Sequence, residues 1–373
     1  MKIAIVRREC GNSWGGAERY CAQIVKTLSE FGHEVTLIAR ERESSCAEVN
    51  FIPIKYKAWG SILKNSLFFV KVRRLLLQTG FDVVYGLSRV YPVDVFKITD
   101  PLHAAWIQER YQNEFVRRLT AFSVRHRLLL ALEEKLMADP RVKIIAISKL
   151  VASQIEQFYG LSQSSARVRV IYNGVDLQQF NPAVRESGKL LREKLGLQKK
   201  TILLFVGENL KRKGFETLIK GMSSLGREDI CLLAVGLARE NVPFRLPANV
   251  KDRIFFIGRV SNPETYYGAA DLLVMPSRSD PFGNVILESL ACGTPVLTTT
   301  AAGASEIVEP GKTGFIMEDP RSHDELRERL EDYLSLANSK RVTMSEQAAH
   351  QATQYTWAKH GEMLLQVFQD VAG

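Results

Sequence analysis

Residues 201–225, TILLFVGENLKRKGFETLIKGMSSL, decide the fold class of this chain. An apolar run over 201–206 is followed by a loop that begins and ends with glycine, and then by a helical pattern over 214–225. A second apolar run, ICLLAV at 230–235, follows shortly after that helix. A strand, a helix and a strand at this spacing predict a parallel sheet covered by helices.

The same alternation of strands and helices continues on both sides of this stretch. A helical pattern covers residues 17–31, and further strand-like runs lie at 2–7, 34–39, 81–85, 253–257, 271–275 and 295–298. Two such halves predict an α/β chain of two Rossmann-like domains that face each other across a cleft, where a ligand would bind. We place the domains at 1–170 and 171–350, with a helical tail at 351–373.

Composition excludes several classes of protein. The chain has 373 residues, of which 46% are hydrophobic and 24% charged, as in folded globular proteins. No apolar stretch approaches the roughly 20 residues that span a bilayer, and charges near the start interrupt any signal-peptide core. The five cysteines are scattered and include no C-x-x-C pair, which predicts free thiols. We therefore expect a soluble, intracellular protein.

The net charge of +9 indicates an anionic partner. Residues 53–78 hold six basic residues, no acidic residue, and several interleaved aromatic residues. This pattern predicts a helix on an anionic membrane surface, and its candidate contact residues are Lys64, Lys71, Arg73 and Arg74. The alternative is a helix that packs Leu67, Val70 and Leu77 into its own domain. No recognition helix or stacking-aromatic motif supports nucleic acid as the partner.

Two loops suit a phosphate-bearing ligand. Gly15 and Gly16 precede the first helix, where glycines let backbone N–H groups approach an anion, although glycine pairs are also common in ordinary turns. The loop 207–214 holds Arg212 and Lys213 at the carboxyl end of a strand, which predicts a diphosphate clamp; the alternative is a solvated turn. The chain has neither G-x-G-x-x-G nor G-x-x-x-x-G-K-[ST], which counts against dehydrogenases and P-loop enzymes.

Residues 276–288, PSRSDPFGNVILE, carry two carboxylates. Asp280 lies on a loop, and Glu288 lies about one turn into the helix that follows, where it suits a ribose diol. Backbone amides at the start of this helix would point toward a ligand, namely those of Phe282, Gly283 and Asn284. The alternative for Asp280 is a helix N-cap, which leaves Glu288 unexplained.

Five segments together resemble glycosyltransferase family 4: GGAER at 15–19, NGVD at 173–176, KRKG at 211–214, the segment 276–288, and GTPV at 293–296. These are retaining enzymes with the GT-B fold, and the resemblance spans about residues 2–320. It implies two Rossmann-like domains, with the final helix crossing back to the first domain. The family usually has Glu at both ends of its E-x7-E signature, whereas this chain has Asp280 at the first.

The resemblance also implies roles for the candidate residues. Gly15 and Gly16 would face the donor's phosphates and the reacting sugar. Arg212 and Lys213 would clamp the diphosphate and stabilise the departing nucleoside diphosphate, because negative charge develops there. Glu288 would hold the ribose, and the hydroxyls of the donor sugar would be held by Asp280 and the amides of Phe282, Gly283 and Asn284.

Two further positions follow from the resemblance. The nucleobase would meet the backbone of Ile257, Gly258, Arg259 and Val260. Asp100 lies where the family has a residue near the anomeric carbon; it would orient the acceptor or stabilise oxocarbenium-like charge, and the sequence does not choose between these. The alternative for Asp100 is a turn residue before Pro101.

Within the family, residues 94–133 are similar to the enzymes that add the first glucose to the inner-core heptose of lipopolysaccharide. This likeness rests on Asp94, Asp100, Arg117, Arg118, Arg125, His126 and Glu133. It implies a UDP-glucose donor, a lipopolysaccharide-core or other glycolipid acceptor, and a peripheral position on the cytoplasmic face of the inner membrane.

The sequence leaves two other functions open. Another nucleotide sugar and another envelope glycan would fit the same motifs. A protein of a different class would bind a sugar nucleotide or nucleic acid without turnover. The histidines lack ligand spacing and no D-x-D follows a strand, so the sequence predicts neither a metal nor a cofactor. The retaining outcome is implied by the family alone.

Overall fold

Two parallel sheets organise the chain. The computed structural model describes residues 1–11, 15–42, 49–57, 59–111, 113–119 and 123–372. The chain divides into two compact units, the first made of Met1–Asn173 with Trp357–Gly373 and the second of Gly174–Thr356. The predicted boundaries stand at 170/171 and 350/351, and the units divide at 173/174 and 356/357.

The first unit is built on a long parallel sheet. Its strands are β1 (Lys2–Val6), β2 (Glu9–Cys10), β3 (Glu34–Ala39), β4 (Glu41–Arg42), β5 (Asn50–Pro53), β6 (Val83–Gly86), β7 (Val95–Lys97), β8 (Lys143–Ala146) and β9 (Val168–Val170). Its helices up to the division are α1 (Gly16–Glu30), α2 (Ser61–Leu76), α3 (His103–Arg110), α4 (Glu114–Leu119), α5 (Val124–Ala138) and α6 (Lys149–Tyr159). The main sheet has the order β5-β3-β1-β6-β7-β8-β9, and β2 pairs with β4 separately.

The second unit repeats the design with fewer strands. Its helices are α7 (Arg185–Leu195), α8 (Phe215–Ser224), α9 (Pro263–Ala269), α10 (Asn284–Ala291), α11 (His323–Ser335) and α12 (Asn338–Ala352). Its strands are β10 (Thr201–Val206), β11 (Ile230–Val235), β12 (Ile254–Gly258), β13 (Leu272–Met275), β14 (Val296–Thr299) and β15 (Gly314–Met317). They pair in parallel in the order β12-β11-β10-β13-β14-β15.

The strand orders fix where a ligand can bind in each unit. The order reverses between β1 and β6 in the first sheet and between β10 and β13 in the second. In open α/β sheets, ligands bind beyond the carboxyl ends of the strands at such a switch point. The central strands are apolar without interruption and buried on both faces, as parallel sheets require. The predicted fold class, with two Rossmann-like domains, is confirmed.

The sequence pattern did not predict one helix of the second unit. Residues 176–200 read as a polar stretch, but the structure forms α7 there. This helix is strongly amphipathic and mostly charged, and Gly188 provides its closest contact. A β-carbon on Gly188 would lie 2.2 Å from the carbonyl carbon of Gly268, so α7 and α9 pack backbone to backbone.

The chain ends in helix α13 (Trp357–Ala372), which packs on the first unit as predicted. Gly361 lets it approach α1, because a β-carbon there would lie 2.8 Å from both Thr27 and Phe31. His360 is buried; its Nδ1 lies 2.6 Å from the Tyr172 carbonyl oxygen and its Nε2 lies 2.9 Å from the Tyr20 hydroxyl. The carbonyl can only accept, so Nδ1 carries the proton and Nε2 accepts from Tyr20.

Helix α2 contains the four candidate membrane residues. The alternative that packs Leu67, Val70 and Leu77 into the domain is wrong at Val70 and Leu77, whose side chains are 57% and 69% exposed, whereas Leu67 is half-buried. Phe68, Val72 and Leu76 are buried instead. These three residues are four positions apart and form the inner face of the helix. Val70 and Leu77, which the alternative placed inward, lie on the exposed side instead.

The described cysteines form no disulfide with one another, as the scattered pattern predicted. Cys10, Cys21, Cys231 and Cys292 are buried and form no disulfide. Cys46 lies outside the described residues.

Candidate active site

Two loops meet at the switch point of the second sheet. The loop after β10 carries Arg212 and Lys213, and the loop after β13 carries Asp280. The Arg278 amide donates to the Arg212 carbonyl oxygen at 2.7 Å, which ties the loops together. The loops approach so closely that only glycine fits at position 214, where φ is +74° and a β-carbon would lie 1.9 Å from the Pro276 oxygen.

Asp280 is the electrostatic centre of these loops. Its carboxylate pairs with the Lys213 ammonium, and its second oxygen lies 3.4 Å from Arg212 Nη1. Both Asp280 and Lys213 are buried, whereas the Arg212 side chain keeps 33% of its surface. Burial raises the pKa of Asp280, but the charges of Lys213 and Arg212 outweigh it and hold that pKa below its usual value. Asp280 is therefore a buried carboxylate in its charged form.

The alternative role for Asp280 as a helix N-cap is wrong. Helix α10 is preceded by Gly283 at its N-cap position, with φ of +94° and no side-chain cap. The Phe282 amide donates to the Asp280 carboxylate. Of the three amides that were expected to face a ligand, the one from Phe282 is thus already used inside the protein.

Glu288 lies five residues into α10 and is half-buried. The Tyr267 hydroxyl donates to its Oε2 at 2.8 Å, and the Tyr267 ring packs edge-on against Phe180 at 5.9 Å between centroids. The two aromatic residues therefore fix the direction of the carboxylate. Phe180 follows the NGVD segment at 173–176, so the chain directly after that segment supports the ring that orients Glu288.

The strand end expected to meet a nucleobase is formed by Ile257, Gly258, Arg259 and Val260. Gly258 has φ of +73°, and its amide donates to the Leu237 carbonyl oxygen at 2.9 Å. Arg259 points outward and makes two contacts with Glu208, at 2.6 and 2.9 Å. Glu208 comes from the loop after β10, so the nucleobase segment and the cationic loop are adjacent.

In the first unit, Gly15 and Gly16 begin helix α1. Gly15 is the N-cap residue, and among the described residues it forms no side-chain cap of the helix. Both glycines are exposed. A β-carbon on Gly15 would lie 3.1 Å from Glu18 Oε2, which places a carboxylate against the glycine loop.

Arg7 joins that carboxylate to Asp100, and the sequence argument missed it. Arg7 Nη2 lies 2.7 Å from Glu18 Oε1, and Nη1 lies 3.2 Å from Asp100 Oδ2. Arg7 follows β1 directly and Asp100 follows β7, so both lie at the carboxyl edge of the sheet. Position after the first strand is the signal that identifies it, since parallel strands end at one edge. The alternative of a simple turn residue leaves this ion pair of Asp100 unexplained.

Glu133, which carries part of the narrower resemblance, lies inside the first unit. It is fully buried, and both of its oxygens accept from the His103 amide at the start of α3. Burial raises its pKa, although Arg89 opposes the shift. Its contacts show that it caps and anchors α3.

Within the described residues, no group of three or more His, Cys, Asp or Glu side chains is arranged to hold a metal ion. Among the helices in the described ranges, none is long and apolar enough to cross a membrane.

Two parallel α/β units with charged groups at their switch points are the architecture of the GT-B fold, which this chain shares. The family models agree with this in both units. Residues 14–179 match the model for Glycosyltransferase Family 4, and residues 188–351 match the model for Glycosyl transferases group 1. The chain belongs to the family 4 glycosyltransferases, and it is an enzyme of the transferase class.

Known relatives span the full chain. It is 25% identical to the lipopolysaccharide glucosyltransferase WaaG of Escherichia coli (strain K12), over 91% of each chain. The crystal structure of WaaG, a glycosyltransferase involved in lipopolysaccharide biosynthesis, shares the fold with a TM-score of 0.81 at 22% identity, covering 98% of this chain and 99% of that one.

Two other similar proteins have different nucleotides in their names. Anabaena Alr3699/HepE, solved in complex with UDP and glucose, has a TM-score of 0.75 at 20% identity and covers 99% of each chain. A GDP-mannose-dependent monoacylated alpha-(1-6)-phosphatidylinositol monomannoside mannosyltransferase of Corynebacterium glutamicum (strain ATCC 13032) is 33% identical, over 53% of this chain and 55% of its own.

Proposed function

We propose that the chain is a retaining, metal-independent hexosyltransferase that moves glucose from UDP-glucose to the inner-core heptose of lipopolysaccharide. It would work as a peripheral protein on the cytoplasmic face of the inner membrane. The observation that carries the proposal is the cluster of Arg212, Lys213 and Asp280 at the switch point, with Glu288 on the following helix. The likeness to WaaG supports the choice of donor and acceptor.

The donor's diphosphate would bind at the cationic loop. As the bond between the anomeric carbon and the β-phosphate oxygen breaks, negative charge develops on the phosphate, and cations fixed beforehand stabilise it. Lys213 is buried against Asp280, whereas Arg212 remains partly exposed. Arg212 would therefore contact the phosphate directly. Lys213 would stabilise the phosphate's negative charge without contacting it.

The donor's sugar and nucleoside have separate partners in this proposal. Asp280 and the amides of the Gly283–Asn284 turn would hold the hydroxyls of the sugar. Because the Tyr267 hydroxyl donates to Oε2 of Glu288, Oε1 would accept from the ribose diol. The backbone at Gly258 would receive the base.

Nucleotide binding is the first test of this assignment. Thermal unfolding is measured with UDP, GDP, ADP and CMP, each with and without EDTA. A ligand at about 100 times its Kd adds about 2.7 kcal/mol to the stability of the state that binds it. Stabilisation by UDP alone, unchanged by EDTA, supports the proposal, and stabilisation that EDTA removes contradicts metal independence.

Transfer is tested with UDP-glucose and lipopolysaccharide that ends at the inner-core heptose. Retention is read from the anomeric coupling of the product by NMR. Glu288→Ala should weaken UDP binding, and Arg212→Ala with Lys213→Ala should abolish transfer. Unchanged UDP binding in Glu288→Ala, or near-normal turnover in the double variant, contradicts the site assignment, and Lys211→Ala, an exposed change on the same loop, serves as the matched control.

The mannosyltransferase relative favours a second candidate, a transferase that uses GDP-mannose for another envelope acceptor. The same nucleotide panel separates the two candidates, since stabilisation by GDP and not by UDP selects the second. Failure of all four nucleotides to bind contradicts the assignment of the loop with Arg212 and Lys213 as the diphosphate site.

Membrane association would rest on helix α2. Leu63, Val70 and Leu77 are exposed and recur every seven residues, which puts them on one face of the helix. Trp59, just before the helix, is 94% exposed. Exposed basic side chains line this apolar face, namely those of Lys71, Arg73 and Arg74, while Lys64 is half-buried. An apolar stripe with cations beside it suits an anionic lipid surface.

Vesicle binding tests this part separately. Each cation near an anionic surface contributes about 1 kcal/mol, so replacing Lys71, Arg73 and Arg74 with Gln should weaken binding to phosphatidylglycerol vesicles by about 100-fold. The matched control removes equal charge from exposed positions of the second unit: Lys189, Lys194 and Lys199. Equal losses in both triple variants would show that net charge, and not helix α2, drives the association.

A further inference from the structure

Arg7 is a buried cation that no motif of the family identifies. It lies directly after β1, is 6% exposed, and donates to groups from three other segments of the first unit. Burying a guanidinium is costly unless hydrogen bonds and opposite charges compensate it. Its partners therefore define what it does in the fold.

One side of the guanidinium holds the region after β7. Nη1 donates to the Leu87 carbonyl oxygen at 2.6 Å and to Thr99 Oγ1 at 3.0 Å, and it lies 3.2 Å from Asp100 Oδ2. Thr99 Oγ1 in turn donates to the Leu87 carbonyl oxygen at 3.2 Å. The backbone before Asp100 is thus tied to the end of β6, and its carboxylate is directed by Arg7.

The other side holds the glycine loop. Nη2 donates to Glu18 Oε1 at 2.7 Å, and Glu18 lies in the first turn of α1. The other oxygen of Glu18 lies against Gly15, which has no side chain to exclude it. One guanidinium therefore connects the glycine loop to Asp100.

Exposure separates the roles of these groups. The side chains of Arg7 and Glu18 are 7% and 18% exposed, whereas that of Asp100 is 49% exposed. A ligand can therefore reach Asp100 while Arg7 remains behind it. Burial lowers the pKa of Arg7, but Asp100 and Glu18 outweigh this and raise it, so the guanidinium stays charged.

We propose that Arg7 is a positioning residue for sugar transfer that acts through Asp100. It fixes the direction of the Asp100 carboxylate at the carboxyl edge of the sheet and compensates its charge together with that of Glu18. This inference rests on the proposed transferase function, and it assigns a role to a residue that touches neither donor nor acceptor.

The test is a double-mutant cycle of Arg7→Met and Asp100→Ala on the full chain, with UDP-glucose and the truncated lipopolysaccharide as substrates. Displacing a reacting group by about 1 Å can cost about 100-fold in rate. We expect Arg7→Met to lower kcat about 10- to 100-fold, with the KM for donor changed less than about threefold. In the Asp100→Ala background, the same change at Arg7 should have almost no further effect.

Two further variants separate positioning from folding. Arg7→Lys keeps the charge and should recover part of the lost kcat. Arg167→Met is the matched control, because Arg167 is a half-buried arginine of the same unit whose side chain, among the described residues, donates to the backbone oxygens of Met137, Asp139 and Val142. It should lower thermal stability without changing kcat per folded molecule.

The results of these experiments decide whether Arg7 has the positioning role. Normal kcat in Arg7→Met, or additive losses in the double variant, would overturn the positioning role while leaving the transferase function intact. If Arg7→Met does not fold, the cycle is made with Arg7→Lys instead, and a loss of kcat that adds to that of Asp100→Ala would overturn the role equally. Absence of transfer by the wild-type chain would overturn the proposed function, and the role of Arg7 with it.

Discussion

Replacing Lys213 with Met should destabilise the second unit strongly. The substitution leaves the Asp280 carboxylate buried without its main counter-charge, and both partners of this pair keep only about a tenth of their surface, 10% for Lys213 and 9% for Asp280. Breaking a buried pair costs about 3–5 kcal/mol. Arg212 at 3.4 Å and the Phe282 amide remain as partners, so we expect about 3 kcal/mol, at the lower end.

Urea and thermal unfolding measure this loss. The sequence has no tryptophan between residues 174 and 356, the range of the second unit, so tryptophan fluorescence does not report on that unit, whereas far-ultraviolet circular dichroism reports on both units. For a unit of this size, 3 kcal/mol corresponds to a fall in Tm of about 6–12 °C. It should appear in the circular-dichroism transition.

Two controls make the result decisive. Lys211→Met removes an exposed charge from the same loop and should change stability by less than about 0.5 kcal/mol. Combining Lys213→Met with Asp280→Asn removes both charges and should restore at least half of the loss, because the unpaired carboxylate is what costs. A loss below about 1 kcal/mol for Lys213→Met, or no recovery in the double variant, would refute the reasoning.

Three further predictions concern the same unit. Tyr267→Phe removes a bond to the Glu288 carboxylate and should weaken UDP binding about 3- to 10-fold by calorimetry, with kcat nearly unchanged. Because the pKa of Asp280 is lowered on folding, its contribution to stability is present above about pH 4 and disappears as pH falls through the folded pKa. The difference in unfolding free energy between wild type and Asp280→Asn should therefore shrink below about pH 4, and a constant difference would contradict it. Gly214→Ala would place a methyl group into the Pro276 oxygen at positive φ, so it should cost more than about 2 kcal/mol in urea unfolding.

The fold was predictable because its signals are local. An uninterrupted apolar run such as 201–206 or 230–235 is typical of a buried parallel strand, and the structure places strands at both. Helix α7 was not predictable in the same way. It is mostly charged, and its closest contact is that of Gly188 with the backbone of α9, so only a few apolar residues carry its helical periodicity.

The site was predictable in its residues and less so in their partners. The motifs select Lys213, Asp280 and Glu288, but the sequence gives no sign that Lys213 is buried on Asp280. Nor does it show that Tyr267 occupies one oxygen of Glu288. Such pairings join positions 67 and 21 residues apart, and only the register of the sheet decides them. Sequence motifs identify which groups are present, and the fold determines which of them are already used.

The two units share one arrangement, in which a buried cation pairs with a carboxylate. In each, a cation from the segment after the first strand of the sheet, Arg7 after β1 or Lys213 after β10, is buried against a carboxylate. That carboxylate, Asp100 or Asp280, comes from a strand on the other side of the switch point. A carboxylate directed in this way does not need to be reoriented when a ligand arrives, so less of the binding energy is lost to ordering. Cations that follow the first strand of a parallel sheet are therefore the residues to examine beside any acidic motif at its switch point.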